Sequence, residues 1–374
     1  MSTSRKFATL TEEITRRFIR MPFLLYGTLL FSVGIVVYLF GVVLVIPRRL
    51  FGLNDLLMPI NEWIVWYSGV PTFFGAAMAL FDVLVLLRFK RQSGGLRIDP
   101  VRDQHVTVAL TAYDDELSIA DAVRDFVAHP LVRRVLVVSN NSRDATIERA
   151  HAAGAVTLNE LNPGYGRCVF RCLTEAARFE DTELVVLCEG DGTFSAADID
   201  KLLGYVAHAD IVNGTRTVER MRANKTQLST FMYYGNIYVG KLLEEKHLGF
   251  TTITDVGTTY KLIRRSVIPR LLAAVDPAVN LEFNAHLLDI AMQLRLTIIE
   301  CPITFHPRVG ESKGGNTNNL RALKVGLRMV MGIVFGWRIL RSPERAGEVE
   351  HSELAAGKSS HEIATVELIR GPHP

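Results

Sequence analysis

From Phe23 to Ile46 the chain carries no charged residue. Such a run is long enough to cross a bilayer core of about 30 Å as a helix. A second apolar segment runs from about Val70 to Leu87, with Trp63, Trp66 and Tyr67 ahead of it and Arg88, Lys90 and Arg91 behind. Aromatic residues on one side and basic residues on the other are what a membrane boundary looks like. The pattern predicts a two-helix transmembrane hairpin over residues 22–90, with spans at about 23–46 and 70–87 and a short loop over roughly 47–69. Pro47-Arg48-Arg49 lacks the small-residue exit of a cleavable signal peptide, so the anchor is expected to be retained. Lys and Arg favour residues 1–21 and 88–102 over the loop, which carries only Arg48 and Arg49. The positive-inside rule then sets both the N-terminal segment and everything after Arg88 in the cytoplasm. The expected location is the inner cell membrane, multi-pass. Asp82 falls inside the second span, where a charge meets a protein neighbour, lines an aqueous path or snorkels to the near interface.

From Gln104 the texture changes to short apolar strands alternating with amphipathic helices, the sign of an α/β domain. Strands are expected at His105–Leu110, Arg134–Val138, Ala155–Leu158 and Glu183–Cys188, with another opening at Ile211–Val212. Helices are expected through about Ala128, at Thr146–Ala153, Cys168–Arg178 and Ala196–Ala207. Further on, 220–250 reads as helix with exposed Tyr233, Tyr234 and Tyr238, 252–263 as strand, Asn280–Arg295 as helix and Thr297–Phe305 as the last strand. The domain is expected over 103–315. Residues 318–341 are apolar, but Arg321, Lys324 and Arg328 interrupt them, and the uncharged Met329–Trp337 is too short to span. Basic charge beside a broad apolar face predicts a helix lying on an anionic membrane surface, with a core-packing helix as the other reading. Residues 342–374 lack apolar periodicity and read as a disordered tail.

Composition adds limits. With 374 residues, 48% hydrophobic, the chain holds one good-sized domain plus appendages. A formal net charge of +3 gives no argument for a nucleic-acid partner. Cys168, Cys172, Cys188 and Cys301 include no CxxC pair and read as reduced, buried thiols.

The candidate chemistry sits after the run Leu184–Cys188, where Glu189-Gly190-Asp191 puts two carboxylates one residue apart at the carboxyl end of a strand. Along an extended strand both point the same way, and ligands of open α/β sheets bind at that end. Two hard oxygen donors on one side of a Gly-flanked turn suit Mg²⁺ or Mn²⁺ bridging a ligand's phosphates. An acidic turn with no ligand is the plain alternative.

Several turns, taken in order over residues 105–313, resemble the family-2 glycosyltransferases with a GT-A (Rossmann-like) fold, and among them the polyprenyl-phosphate sugar transferases. The family's P-x-Y-N-E turn is similar to Thr111-Ala112-Tyr113-Asp114-Asp115. Its V-D-D-G-S turn appears as Val138-Ser139-Asn140-Asn141-Ser142, without the two acids, although Asn140 retains a donor and an acceptor for a base edge. N-x-G-x-G is intact as Asn162, Gly164 and Gly166. D-x-D becomes Glu189-Gly190-Asp191, and D-x-x-S-G-F-R resembles Asp255-Val256-Gly257-Thr258-Thr259-Tyr260-Lys261. The helix F-x-x-E-L/M reads Phe283-Asn284-Ala285-His286-Leu287, with His286 in the glutamate position and Glu282 one turn before it, placed to restore a carboxylate or to pair with a protonated His286. Glu300-Cys301-Pro302-Ile303-Thr304-Phe305 and then Arg308, Gly310, Glu311, Ser312 and Lys313 follow E-V-P-I-x-F…R-x-G-x-S-K.

The resemblance implies a metal-dependent, inverting glycosyltransferase that moves a sugar from a nucleotide diphosphate sugar to polyprenyl phosphate. Ala112, Tyr113, Asp115, Asn140, Asn162, Gly164, Gly166, Glu189 and Gly190 would bind the nucleotide, and Glu189 and Asp191 the metal. Asp191, Arg308, Lys313, Glu282 and His286 would serve the transfer, Arg308 and Lys313 by gripping the lipid phosphate. Two other readings stay open, another lipid or lipid-linked saccharide acceptor, and a catalytically silent membrane scaffold. The sugar, the base and any homo-oligomer are also open.

Overall fold

The computed structural model describes residues 12–91, 96–224, 226–310 and 319–340. Two apolar helices pack against each other in the predicted region, with different bounds. Helix α1 (Phe23–Val43) is extended by a short helix Val45–Leu50, and α2 (Asn54–Phe81) runs on through a π turn, Asp82–Leu86, to Lys90. The second helix therefore starts at Asn54, not at Val70. Pro59, Asn61 and Glu62 had interrupted the apolar run, yet Asn61 is buried against α1 and donates to the Gly41 carbonyl. Gly27, Gly34 and Gly41 let the helices touch, and a Cβ at Gly34 would lie 2.2 Å from Thr72 Oγ1. Small residues facing one another are how apolar helices pack where water exerts no drive.

Both helices are long and apolar enough to cross a membrane, and only 11% and 17% of their most apolar stretches are buried. Asp82 meets a protein neighbour. It pairs with Lys90 at 2.6 Å and accepts the Leu24 amide at 2.8 Å, satisfying an N–H at the start of α1. The hairpin is also tied to the domain. Leu25 is buried in the main core, the Thr28 hydroxyl donates to Glu245 at 2.6 Å, and the Tyr26 hydroxyl donates to the Val334 carbonyl at 3.2 Å.

The α/β domain is built on a seven-stranded mixed sheet in the order β3-β2-β1-β4-β6-β5-β7. The strands are β1 (Val106–Ala112), β2 (Val132–Ser139), β3 (Val156–Asn159), β4 (Leu184–Glu189), β5 (Ile211–Thr215), β6 (Lys261–Arg264) and β7 (Ile298–Pro302). The first four run parallel, and β6 is antiparallel to β4 and β5. β1 is buried from end to end, as a central parallel strand covered on both faces must be. The helices α3 (Ile119–Ala128), α4 (Thr146–Ala152), α5 (Tyr165–Ala176) and α6 (Asp198–Leu203) connect the strands of the first half. The helices α7 (Thr230–Lys246), α8 (Ile268–Leu272), α9 (Phe283–Gln293) and α10 (Asn319–Phe335) belong to the second.

Three expectations change here. The helix expected over 220–250 is confined to Thr230–Lys246. Of residues 252–263 only Lys261 onward pairs as strand. The preceding β-branched run is a loop that hangs on Glu300, whose carboxylate accepts the amides of Thr254 at 2.8 Å and Asp255 at 3.0 Å. The C-terminal helix packs on the core along part of its length. Met329, Ile333 and Val334 join the main core, while Leu320, Leu323 and Leu327 stay exposed. The four cysteines are free and buried, and the tail 342–374 lies outside the described residues.

Candidate functional site

The carboxyl ends of β1 and β4 lie side by side, Thr111 opposite Glu189. Past them, Gly190 donates its amide to the Thr111 carbonyl at 2.9 Å. A Cβ there would stand 2.4 Å from Ile119, so glycine is what lets the turn pass. The turn delivers Asp191, 2% exposed, and its Oδ1 accepts the amide of Thr193 at 3.1 Å and its hydroxyl at 2.5 Å. From the β1 side comes Asp115, reached through Asp114 at φ 50°. Arg308, after β7, lies between these acids. It bonds to Asp115 and meets Asp191 Oδ2 at 3.1 Å, and its buried Nε has no hydrogen-bond partner among the described residues.

These groups open into a cavity of about 870 Å³. Ala112, Tyr113, Asp115, Asn140, Gly164, Glu189, Asp191 and Arg308 all line it, so eight of the expected residues come together. Gly190 and Gly166 do not line it and act as close-packing positions, a Cβ on Gly166 meeting the Val279 carbonyl at 1.9 Å. Asn162 contributes only its carbonyl, which accepts from Asn140 at 3.3 Å. Asn140 lines the wall, but its amide is taken up by the Gly-rich turn, its Oδ1 accepting the Gly164 amide at 3.1 Å and its Nδ2 donating to the Gly164 carbonyl at 3.3 Å. Base reading by that side chain has to compete with these bonds.

His286 and Glu282 are not in the cavity wall, and they do not pair with each other. His286 is buried between Phe283 and Trp337, accepts the Asp276 amide on Nε2 at 2.8 Å, and burial pushes its pKa down to about 4. A neutral ring fixed in the core replaces the expected acceptor-side group. Glu282 pairs with Arg328 of α10 at 2.5 Å and so fastens that helix. Lys313 lies outside the described residues.

The cavity also holds groups that sequence reasoning did not single out. Arg216, after β5, is fixed to Asp255 through Nε at 2.7 Å and Nη2 at 2.8 Å. Burial works against its charge, and Asp255 more than restores it. An arginine following a strand's last residue was the available signal. Tyr165 and Asn284 line the wall as well, and behind them burial pushes Lys261 down to about 7.

Burial, with Asp191 second, raises Glu189 to about 7, and burial also raises Asp115. Arg308 pairs with Asp115 and Asp191 but, among the described residues, no cation pairs with Glu189, whose charged form a divalent cation would favour. Among the described residues no group of three or more His, Cys, Asp or Glu side chains is gathered to hold a metal.

On the other side the cavity is apolar, walled by α7 with Phe231, Met232 and Tyr238 and by α10 with Leu323, Leu327 and Val330.

No family model matches the chain. An uncharacterised glycosyltransferase of Mycobacterium tuberculosis is 36% identical over 112 residues, 30% of this chain and 48% of that one. The chain therefore spans about half the length of the first curated relatives it matches. A dolichyl-phosphate hexose transferase of Haloferax volcanii is 26% identical over 209 residues, covering 56% of this chain and 86% of that one. Glucosyl-3-phosphoglycerate synthase of M. tuberculosis, solved with Mn²⁺ and UDP-glucose, superposes with a TM-score of 0.46 at 16% identity, over 64% of this chain and 87% of that one. The chain resembles the family-2 glycosyltransferases, and within them the polyprenyl-phosphate sugar transferases.

Proposed function

We propose that this protein is a membrane-anchored, inverting GT-A glycosyltransferase that moves a sugar from a nucleotide diphosphate sugar to polyprenyl phosphate. One observation carries the reading. A single cavity joins a floor of carboxylates and arginines to a wall of apolar side chains on α7 and α10. A nucleotide sugar needs the first and a phosphorylated lipid needs both. The similarity to a dolichyl-phosphate hexose transferase supports the same acceptor class.

In the transfer, a phosphate oxygen of the lipid attacks the anomeric carbon, the bond from that carbon to the nucleotide's diphosphate breaks, and the diphosphate leaves with the electron pair. The acceptor is already an anion at neutral pH, so no strong general base is required. Glu189 and Asp191 would hold Mg²⁺ or Mn²⁺, which would offset the charge growing on the leaving diphosphate. Arg308, whose Nε has no partner among the described residues, and Arg216 are the cations that would orient phosphates at the floor. Positioning and charge are most of what such a reaction asks of a protein.

The hairpin and the exposed apolar residues of α10 would hold the cavity against the cytoplasmic leaflet of the cell membrane. The test is incubation of the purified protein with polyprenyl phosphate, Mn²⁺ and a panel of radiolabelled UDP- and GDP-sugars. Label is expected to pass into the organic phase. Label that stays with the nucleotide, or that moves only to a different acceptor, overturns the reading.

A further inference from the structure

Two departures from the resembled motifs meet in space. Glu189 stands where D-x-D has its first aspartate, and Thr259 stands where D-x-x-S-G-F-R has glycine. The Thr259 hydroxyl donates to Glu189 Oε1 at 2.5 Å. Glycine has no such donor, and aspartate is one methylene shorter.

Thr259 is fully buried, and the rest of its hydroxyl is committed too. A hydroxyl offers one hydrogen and two lone pairs. With a cation bound, Glu189 is ionised and only accepts, so the Thr259 hydrogen goes to Glu189, and the Tyr165 hydroxyl, which touches the Thr259 oxygen, donates to it. Asn284 Nδ2 lies 3.2 Å from the Thr259 oxygen and 3.0 Å from that of Tyr165. The Asn284 amide is oriented in turn by Lys261, whose ammonium lies 3.4 Å from Oδ1. The chain of donors runs from Lys261 through Asn284 and Tyr165 to Thr259 and ends on one oxygen of Glu189. Its members come from β6, α9, the start of α5 and the loop before β6, so four segments converge on one carboxylate oxygen.

We propose that Thr259 is a positioning residue for Glu189. It occupies Oε1, fixes the longer side chain in one rotamer and leaves Oε2 as the single free donor for a divalent cation. The glutamate and the threonine are then one structural change rather than two independent drifts, and the longer carboxylate works because the hydroxyl holds it. This rests on the reading that Glu189 and Asp191 hold a divalent ion.

The test titrates Mn²⁺ alone into the purified full-length protein, with no nucleotide, and follows free Mn²⁺ by electron paramagnetic resonance. Thr259→Val keeps the volume and removes the hydroxyl, and is expected to weaken Mn²⁺ binding about tenfold, the worth of one hydrogen bond to a charged group. Thr259→Ser is expected to stay within about twofold of wild type, because the donor remains. Glu189→Asp breaks the same bond from the other side, so Glu189→Asp/Thr259→Val is expected to bind no more weakly than the worse single variant. Losses that multiply to about a hundredfold in the double variant make the two residues independent and overturn the proposal. Unchanged Mn²⁺ binding in Thr259→Val overturns it as well. Should Thr259→Val not fold, Tyr165→Phe removes the donor behind Thr259 and is expected to weaken Mn²⁺ binding about threefold, unchanged binding again being the contrary result. A wild-type protein indifferent to Mn²⁺ removes the metal reading itself, and this proposal with it.

Discussion

The floor and the apolar wall of the cavity are held in different ways. At the floor each acidic side chain comes from a strand end or a tight turn and is tied down by named bonds, Asp191 by Thr193 and Arg308, Glu189 by Thr259, Asp115 by Arg308. On the apolar side, residues stand on helices that are fixed only along their far faces, α10 by Glu282–Arg328 and by the burial of Met329 and Ile333. In the proposed reading the nucleotide end would thus be pre-organised, and the acceptor end would be a packed surface whose exposed half meets lipid. Chemistry that depends on charge placement needs the first kind of support, whereas apolar recognition is non-directional and tolerates the second.

The sharpest way to break this contrast is at the floor. Asp191→Asn keeps the side chain's shape and removes its charge. Transfer is expected to fall on the order of 10²–10³-fold, the usual loss when one pre-organised electrostatic group is removed, while the melting temperature changes by no more than about 2 °C. A radiolabel transfer assay beside thermal unfolding checks both. Retained turnover in Asp191→Asn, or full wild-type activity in excess EDTA, excludes the metal role.

Arg308 comes next, because it belongs to the floor by contact and was assigned to the acceptor by sequence. Arg308→Ala is expected to lower transfer about ten- to a hundredfold, a charge-assisted pair being worth roughly 1.5–3 kcal/mol. Donor binding by calorimetry in Mn²⁺ is expected to stay within about threefold of wild type. A matching loss of donor affinity would move Arg308 from the lipid phosphate to the nucleotide's diphosphate. Arg308→Lys is expected to rescue little, since a point charge does not reproduce the fork between Asp115 and Asp191.

On the apolar side, Leu323→Glu/Leu327→Glu puts two charges on the exposed half of α10. Transfer to polyprenyl phosphate is expected to fall about tenfold or more, from lost apolar burial and repulsion by anionic lipid, with donor binding unchanged. If transfer to a long-chain acceptor is unaffected, the lipid does not lie along this helix.

The same contrast explains what the sequence made legible. The parallel strands and their terminal turns were readable, because uninterrupted apolar runs mark buried strands and the motif residues must sit where those strands end. Eight of the expected site residues line one cavity for that reason. The rest depended on tertiary partners. Residues 54–69 are helical because Asn61 and Ser68 are buried against α1, which hydropathy along one chain segment does not register. Of the expected strand 252–263, Thr252–Tyr260 became loop, where Glu300 accepts the amides of Thr254 and Asp255. His286 was expected to serve the transfer from the family's glutamate position and is a buried core side chain, and only the positions of Phe283, Trp337 and the Asp276 amide reveal that. Arg216 carried almost no local signal, and its partner Asp255 is far along the chain.

The smallest expected effect concerns the charge the floor lacks. Burial and Asp191 raise Glu189 from its ordinary 4.5 to about 7. Between those values the folded, metal-free protein keeps a proton that the unfolded chain has lost, so stability falls as pH rises through the window. Glu189→Gln is neutral throughout and has no such slope. From pH 5 to pH 8 in EDTA, wild type is expected to lose on the order of 2–4 °C more in melting temperature than Glu189→Gln does. Adding Mn²⁺ is expected to shrink the difference, because a cation holds the carboxylate ionised on both sides of the window. Equal slopes for the two proteins in EDTA would mean that Arg216 and Arg308 already neutralise Glu189. The floor would then be balanced by its own arginines, and the argument that it is short of positive charge would be lost.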